Sequence, residues 1–219
     1  MADGSNKPDK LVIFGAGGHG RELAWLAQMA GWKAADIMFV VDSREYLSAP
    51  VNGIPVLLLA DLSVSGTRTG FVVALGDSRL RERAADKCLH AGLEPVTLQA
   101  PGALLSDTVR TGAGSVICAG SILTTNVTLG RHVHVNIGCT ISHDARIADF
   151  ATLSPGVRLS GHVVIGEHAF LGTGAVVING SEQHPLVIGA NAVVAAGACV
   201  TTSVAAGSLV AGVPAVQKR

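Results

Sequence analysis

Residues 129–172 read LGRHVHVNIGCTISHDARIADFATLSPGVRLSGHVVIGEHAFLG, and an aliphatic side chain returns at every sixth position: Leu129, Val135, Ile141, Ile147, Leu153, Leu159, Ile165 and Leu171. Followed outward in the same phase, the row gains Leu105, Thr111, Ile117 and Leu123 before it and Val177 after it, so twelve of thirteen positions are Leu, Ile or Val. With 48% hydrophobic residues of all kinds, only about six hydrophobic residues would fall on such a row by chance. The residue four places on is small or β-branched throughout, from Val109 and Ser115 to Ala175 and Ser181. Gly often follows the aliphatic residue, as in Leu129-Gly130, Ile165-Gly166 and Leu171-Gly172. The physical reading is a prism of short parallel strands with three hexads to a coil. Each coil sends one aliphatic residue inward per face, and coils stack because a single coil cannot bury its own core.

The phase breaks after Val177. The stretch from Asn179 to Val187 carries about five extra residues, and the period is expected to resume at Ile188, Val194, Val200 and Ala206. Extra residues in a solenoid must leave the stack as a loop, and projecting loops often carry function. Composition agrees with a narrow interior: aromatics are only 4% and Gly numbers 27 among the 219 residues. The balance of 16 basic and 16 acidic residues excludes a nucleic-acid-type basic field and an acidic tail. Cys88, Cys118, Cys139 and Cys199 are far apart and form no CxxC pair, so neither a disulfide framework nor a zinc knuckle is indicated. The opening MADGSNKPDK lacks the apolar centre of a signal peptide. No apolar run approaches the ~20 residues of a membrane span. A cytoplasmic protein is expected.

Before residue 100 the grammar differs. Leu11 to Phe14 reads as a buried strand and His19 to Ala30 as a helix, with Leu23, Leu26, Ala27 and Ala30 on one face. A second strand ends at Val41-Asp42, Phe71 to Leu75 reads as a third, Arg79 to Ala91 as a helix, and Pro95 to Leu98 as one more strand. Strands alternating with helices predict a small, mostly parallel α/β sheet. The chain therefore divides into a disordered segment over 1–9, a Rossmann-like α/β domain over 10–100 and a β-helix over 101–219. Gly15-Ala16-Gly17-Gly18-His19-Gly20 fits GxGxxG between the first strand and the first helix, with Asp42 after the next strand. Such glycines let a phosphate approach a helix N-terminus, although a glycine turn can equally serve close helix–sheet packing. The short sheet and the lack of a hydride-acceptor apparatus disfavour a dehydrogenase.

His143-Asp144 falls two and three places beyond the inward Ile141, at a corner of the prism and not inside it. Acyl transfer needs a base to take the nucleophile's proton, and an imidazole beside a carboxylate suits neutral pH. A solvated turn histidine is the bland alternative, since His132, His134, His162 and His168 also lie in the solenoid. His162 and His168 raise a metal reading, but a three-histidine constellation is not evident and no metal is expected. His184-Pro185 sits in the insertion, as a loop tip that could meet substrate or a neighbouring chain.

Three elements together, the GAGGHG turn, Gly76-Asp77-Ser78 after the third strand and His143-Asp144 in a hexapeptide domain, resemble the NeuD/PglD group of bacterial sugar acetyltransferases. The ending Ala211-Gly212-Val213-Pro214-Ala215 resembles the terminal element of that group, so the likeness runs from about Lys10 to Pro214. The resemblance implies a left-handed β-helix, a homotrimer with acetyl-CoA between adjacent β-helices, and a nucleotide-linked amino sugar or a sialic acid as acceptor. It implies His143 as general base with Asp144 raising its basicity. Gly17, Gly18, His19, Asp42 and Gly76 would hold the sugar nucleotide, and Thr173 and Ala196 would contact CoA through backbone atoms. Thr152 stands where some members carry a second, cofactor-contacting histidine. That departure, the insertion at Ser181 to Pro185, and Val41 in place of a first acidic residue keep an O-acetyl acceptor open beside an N-acetyl one. Two readings of other classes remain, a trimeric zinc hydratase and a non-catalytic solenoid scaffold.

Overall fold

The structure is a computed structural model that describes residues 7–63 and 66–218. The expected disordered segment lies outside the described residues for 1–6. Its remainder is held in place. Lys7 Nζ donates to the Gly31 carbonyl at 3.0 Å and sits 4.1 Å from the Trp32 ring centre. The Asp9 N–H reaches the Arg68 carbonyl at 2.8 Å. The chain forms two units that change over at Val96 and Thr97. Leu98 and Gln99 already pair with Val116 and Ile117, so they open the repeat region instead of closing the first sheet. No helix among the described residues is long and apolar enough to cross a membrane.

In the first unit, β1 (Lys10–Phe14), β2 (Ile37–Val41), β3 (Val56–Leu58), β4 (Thr69–Val73) and β5 (Glu94–Pro95) form one parallel sheet in the order β3-β2-β1-β4-β5. The central strands read as unbroken apolar runs because both their faces are covered. Helices α1 (Gly18–Met29) and α2 (Ser78–His90) follow β1 and β4. β3 was not anticipated, so the strand read third is fourth in the chain. It is a three-residue edge strand in which Leu57 is exposed between buried Val56 and Leu58, too short to show a period. The order reverses between β1 and β4, and ligands of open α/β sheets bind at the carboxyl ends of strands flanking such a switch point. Of the turn glycines, Gly15 has φ +103°. Gly20 is a packing glycine, since a Cβ there would fall on the Gly15 carbonyl and 3.4 Å from the Phe39 ring.

Arg81 is the largest fully buried side chain. Its Nη1 donates to the carbonyls of Leu75 at 2.8 Å and Gly76 at 3.3 Å. Burial pushes the guanidinium down to about 10, with Asp77 opposing the shift, so it stays a cation at neutral pH and pins the turn after β4.

The second unit is a left-handed parallel β-helix. Leu123, Ile141, Leu159, Val177 and Val200 stack on one face. Thr111, Leu129, Ile147, Ile165 and Ile188 form the second. Ile117, Val135, Leu153, Leu171, Val194 and Val210 form the third. Nearly all of these are fully buried, and so are the small residues four places on, such as Cys139, Ala145, Ala151 and Val157. Where that row carries a hydroxyl, a carbonyl of the next coil accepts from it: Ser115 Oγ donates to Gly130 at 2.8 Å and Ser121 Oγ to Asn136 at 2.9 Å.

The insertion leaves the stack as expected, with Ile165 meeting Ile188 across it and Ser181 exposed. The resumed period fails once. Ala206 is exposed and Val204 points inward in its place, because Val204 bridges Ile188 after a coil two residues short. At the corners, the residue three places after the inward one turns left-handed. Asn126, Asp144 and His162 do so along one edge, and His132, Phe150 and His168 along another, with φ between +52° and +60°. Asn, Asp and His tolerate that region better than most side chains. The rings of His132, Phe150 and His168 stack at centroid spacings of 5.2 and 5.3 Å.

Each coil buries the next, so a hole in one is felt by its neighbours. Leu153→Ala is expected to cost about 2–5 kcal/mol, read as a lowered midpoint in urea unfolding.

Candidate active site

The hexad Ile141-Ser142-His143-Asp144-Ala145-Arg146 shows how the coil builds its reactive corner. Ile141 and Ala145 are buried, Ser142 N–H bonds to the Leu159 carbonyl at 2.9 Å, and Asp144 N–H to the Thr125 carbonyl at 3.1 Å. Backbone fixed on both sides holds the side chains of residues 143 and 144 together outside the prism. His143 Nδ1 lies 2.8 Å from Asp144 Oδ2, and Asn126 Nδ2 donates to Asp144 Oδ1 at 3.1 Å. The hydrogen bond from His143 first, and that from Asn126 second, hold the Asp144 carboxyl below its ordinary range. An ionised carboxylate can only accept, so Nδ1 carries the ring proton and Nε2 keeps the lone pair.

Two residues one coil further on complete this corner. Gly161 is buried under the His143 ring: a Cβ there would lie 2.9 Å from Nδ1 and closer still to Nε2 and Cε1. Glycine serves here as a cradle for the imidazole. His162 meets His143 edge to face, with ring centres 5.2 Å apart and planes at 84°, and its Nε2 is 3.7 Å from Asp144 Oδ2. Gly161 did not stand out in sequence and His162 drew only a metal reading, although both lie eighteen places, one coil, beyond the His143-Asp144 pair. His162 is therefore more than a solvated turn residue.

The insertion lands beside this corner. Ser181, Glu182 and Pro185 line a cavity of about 440 Å³ together with Asp144, Arg146 and His162. The loop closes on itself, the Ser181 N–H reaching the His184 carbonyl at 2.9 Å and the His184 N–H reaching Ser181 Oγ at 3.1 Å. His184 is exposed and absent from the cavity lining.

In the first unit a cavity of about 560 Å³ opens at the ends of β1 and β2. Gly17 and Asp42 line it, as do Tyr46, Arg83 and Lys87, which sequence reasoning missed. Lys87, on α2, pairs with Asp42 after β2. Gly18 begins α1, His19 Nδ1 engages Glu22 at 3.0 Å, and the Gly76 carbonyl accepts from Arg81. None of these three lines the cavity. A helix N-terminus, an aromatic ring and two cationic side chains together suit an anionic ligand with a flat base.

Thr173 and Ala196 are exposed at one turn in successive coils, where Gly197 N–H bonds to the Thr173 carbonyl at 2.9 Å. Thr152 is only 4% exposed, on a strand paired with those of His134 and Phe170. Its side chain therefore offers almost no surface to a cofactor, unlike the two turn residues.

The family described as PglD N-terminal domain matches residues 10–88. Over 181 residues the chain is 36% identical to the GDP-perosamine N-acetyltransferase of Escherichia coli O157:H7, covering 81% of this chain and 82% of that protein. The acetyltransferase domain of PglB from Neisseria gonorrhoeae FA1090, solved in complex with acetyl coenzyme A, superposes with a TM-score of 0.86 at 33% identity, over 97% of this chain and 100% of that one. PerB from Caulobacter crescentus, solved in complex with CoA and GDP-perosamine, gives 0.84 at 32% identity, over 96% and 97%. With the repeat unit and the switch-point sheet both accounted for, the chain belongs to the PglD-type family of bacterial sugar acetyltransferases, which are acyltransferases.

Proposed function

We propose that the protein transfers the acetyl group of acetyl-CoA to the amine of a nucleotide-linked amino sugar, with His143 as general base. The observation that carries this reading is the 2.8 Å contact between His143 Nδ1 and Asp144 Oδ2, which leaves Nε2 as the ring's accepting nitrogen. The amine attacks the thioester carbonyl and passes its proton to Nε2 of His143. Asp144 holds the ring tautomer and stabilises the imidazolium as it forms. The tetrahedral intermediate's oxyanion is met by backbone N–H groups, and the C–S bond then breaks to release CoA thiolate. Relatives that are named as N-acetyltransferases, or were solved with CoA and GDP-perosamine, support nitrogen over oxygen as the acceptor.

The cavity of the first unit takes the nucleotide in this reading. Gly17 presents the α1 N-terminus to the diphosphate, Arg83 and Lys87 supply cations, and Tyr46 covers the base. Gly18, His19 and Gly76 act from behind, by shaping the two turns. Thr173 and Ala196 offer an exposed edge on which CoA would lie between copies of the chain in a homotrimer. Acetyl-CoA should raise the melting temperature of the purified protein by mass action. A protein whose melting is indifferent to saturating acetyl-CoA would not be this enzyme.

His143→Ala should lower kcat by about 10² to 10⁴, measured by thiol release from acetyl-CoA with nucleotide amino sugars as acceptors. Turnover that survives intact would reject the base. Gly161→Ala gives a sharper test, because the backbone at this glycine is not left-handed and Ala can adopt it. Its methyl group should displace the imidazole and reduce kcat by about 10²-fold. The melting temperature should stay within about 2 °C of the parent.

A further inference from the structure

His162 is not needed to move the proton, yet its ring shares the Asp144 carboxylate with the base. We infer that His143, Asp144 and His162 form a binding site for a zinc-type dication, which acts as an inhibitor and not as a cofactor. The inhibitory part rests on His143 being the base; the binding part does not.

The geometry fits. Four-coordinate zinc with nitrogen and oxygen ligands at about 2.0–2.1 Å places neighbouring donors about 3.3 Å apart. His143 Nδ1 lies 2.8 Å and His162 Nε2 3.7 Å from Asp144 Oδ2, on either side of that spacing. One donor atom from each of the three residues lies within 4.8 Å of the others. Small side-chain rotations close the set. The backbones carrying the donors are already fixed to each other, since the His162 N–H bonds to the His143 carbonyl at 3.1 Å. Asn126 occupies Oδ1 of the carboxylate and leaves Oδ2 to the metal. Two imidazoles and one carboxylate are the donors that favour zinc and its neighbours over magnesium or calcium. Asp144 and His162 line one cavity with Glu182, so water or that carboxylate can complete the sphere.

Inhibition follows from the imidazole itself. Metal on Nε2 takes the lone pair that accepts the substrate's proton. Metal on Nδ1 displaces the proton from that nitrogen, and the neutral ring then carries it on Nε2, which becomes a donor. Either way the base is lost with no change in the coil.

The test uses the purified full chain, stripped with EDTA. Zinc binding is measured by equilibrium dialysis, and cobalt(II) is added in parallel to read the intense visible bands of a four-coordinate site. One zinc per chain is expected. His162→Gln and Asp144→Asn should each weaken it by more than about tenfold, a loss that even outer-shell changes cause at zinc sites. His184→Gln, on the insertion but away from the donors, should leave affinity unchanged. Zinc should inhibit acetyl transfer at concentrations that track its dissociation constant, and EDTA should restore the rate. The inhibition curve should shift to higher zinc in His162→Gln, whatever that variant's basal rate. Absence of stoichiometric binding, or binding that both ligand variants leave intact, would overturn the site. Zinc held at one per chain while transfer proceeds unslowed would overturn the inhibition. A wrong assignment of the base is recognised separately, by metal-free His143→Ala retaining its turnover.

Discussion

Every part of the repeat unit depends on the register of one coil against the next. Backbone hydrogen bonds such as Ser142 N–H to the Leu159 carbonyl, and Thr140 N–H to the Val157 carbonyl, tie residues about one coil apart. Once that ladder is set, Ile141 must lie over Leu159 and under Leu123. The period is therefore a packing requirement of a prism too narrow for large rings. Aliphatic residues fill the three faces, and Val, Ala, Cys or Ser fills the space near the corners. A charge or an amide in the inward row would have no partner within the prism.

The same register places chemistry. A side chain at a corner has only two neighbours along its edge, those one coil before and one coil after. For Asp144 these are Asn126 and His162, and both address its carboxylate. For His143 the following neighbour is Gly161, and the missing Cβ makes room for the ring. The solenoid thus fixes the His143-Asp144 pair by backbone bonds on each side and selective absence of volume above. Electrostatics acts in the same direction, since the hydrogen bonds from His143 and Asn126 both favour the ionised form of Asp144.

Much of this was legible in sequence, unevenly and for physical reasons. The inward row announced itself because the same constraint is repeated thirteen times, and twelve of those positions obey it in Leu, Ile or Val. Ala206 misled because an aliphatic residue fell in phase by coincidence after the coil had lost two residues. Only the pairing of Val204 with Ile188 reveals the shortening. β3 escaped notice because three residues at a sheet edge carry too little pattern. Its neighbours β1 and β4, covered on both faces, were plain. His143-Asp144 was visible as a pair and gained its meaning from resemblance. Gly161 was not visible, and His162 was paired in sequence with His168 and not with His143-Asp144, since their role exists only between coils. In the first unit, Gly17 was found through the GxGxxG turn before α1 and Asp42 as the acidic residue after β2. Arg83 and Lys87 reach the same cavity from α2, and no local motif records which face of a helix will look across a sheet.

The insertion shows how a regular scaffold acquires individuality at little cost. Five extra residues between Ile165 and Ile188 leave the ladder intact, because Leu186 N–H returns to the His162 carbonyl at 3.1 Å and Gly180 N–H to the Gly161 carbonyl at 3.0 Å. Gly180 permits that return, since a Cβ there would collide with the His162 carbonyl and the Leu186 N–H. The loop leaves and rejoins the prism against the coil that carries Gly161 and His162. Its placement is therefore not neutral: Glu182 and Pro185 become walls of a cavity whose floor is Asp144 and His162. A change in loop sequence would alter the wall that faces Asp144 and His162 and leave the stack that holds them undisturbed.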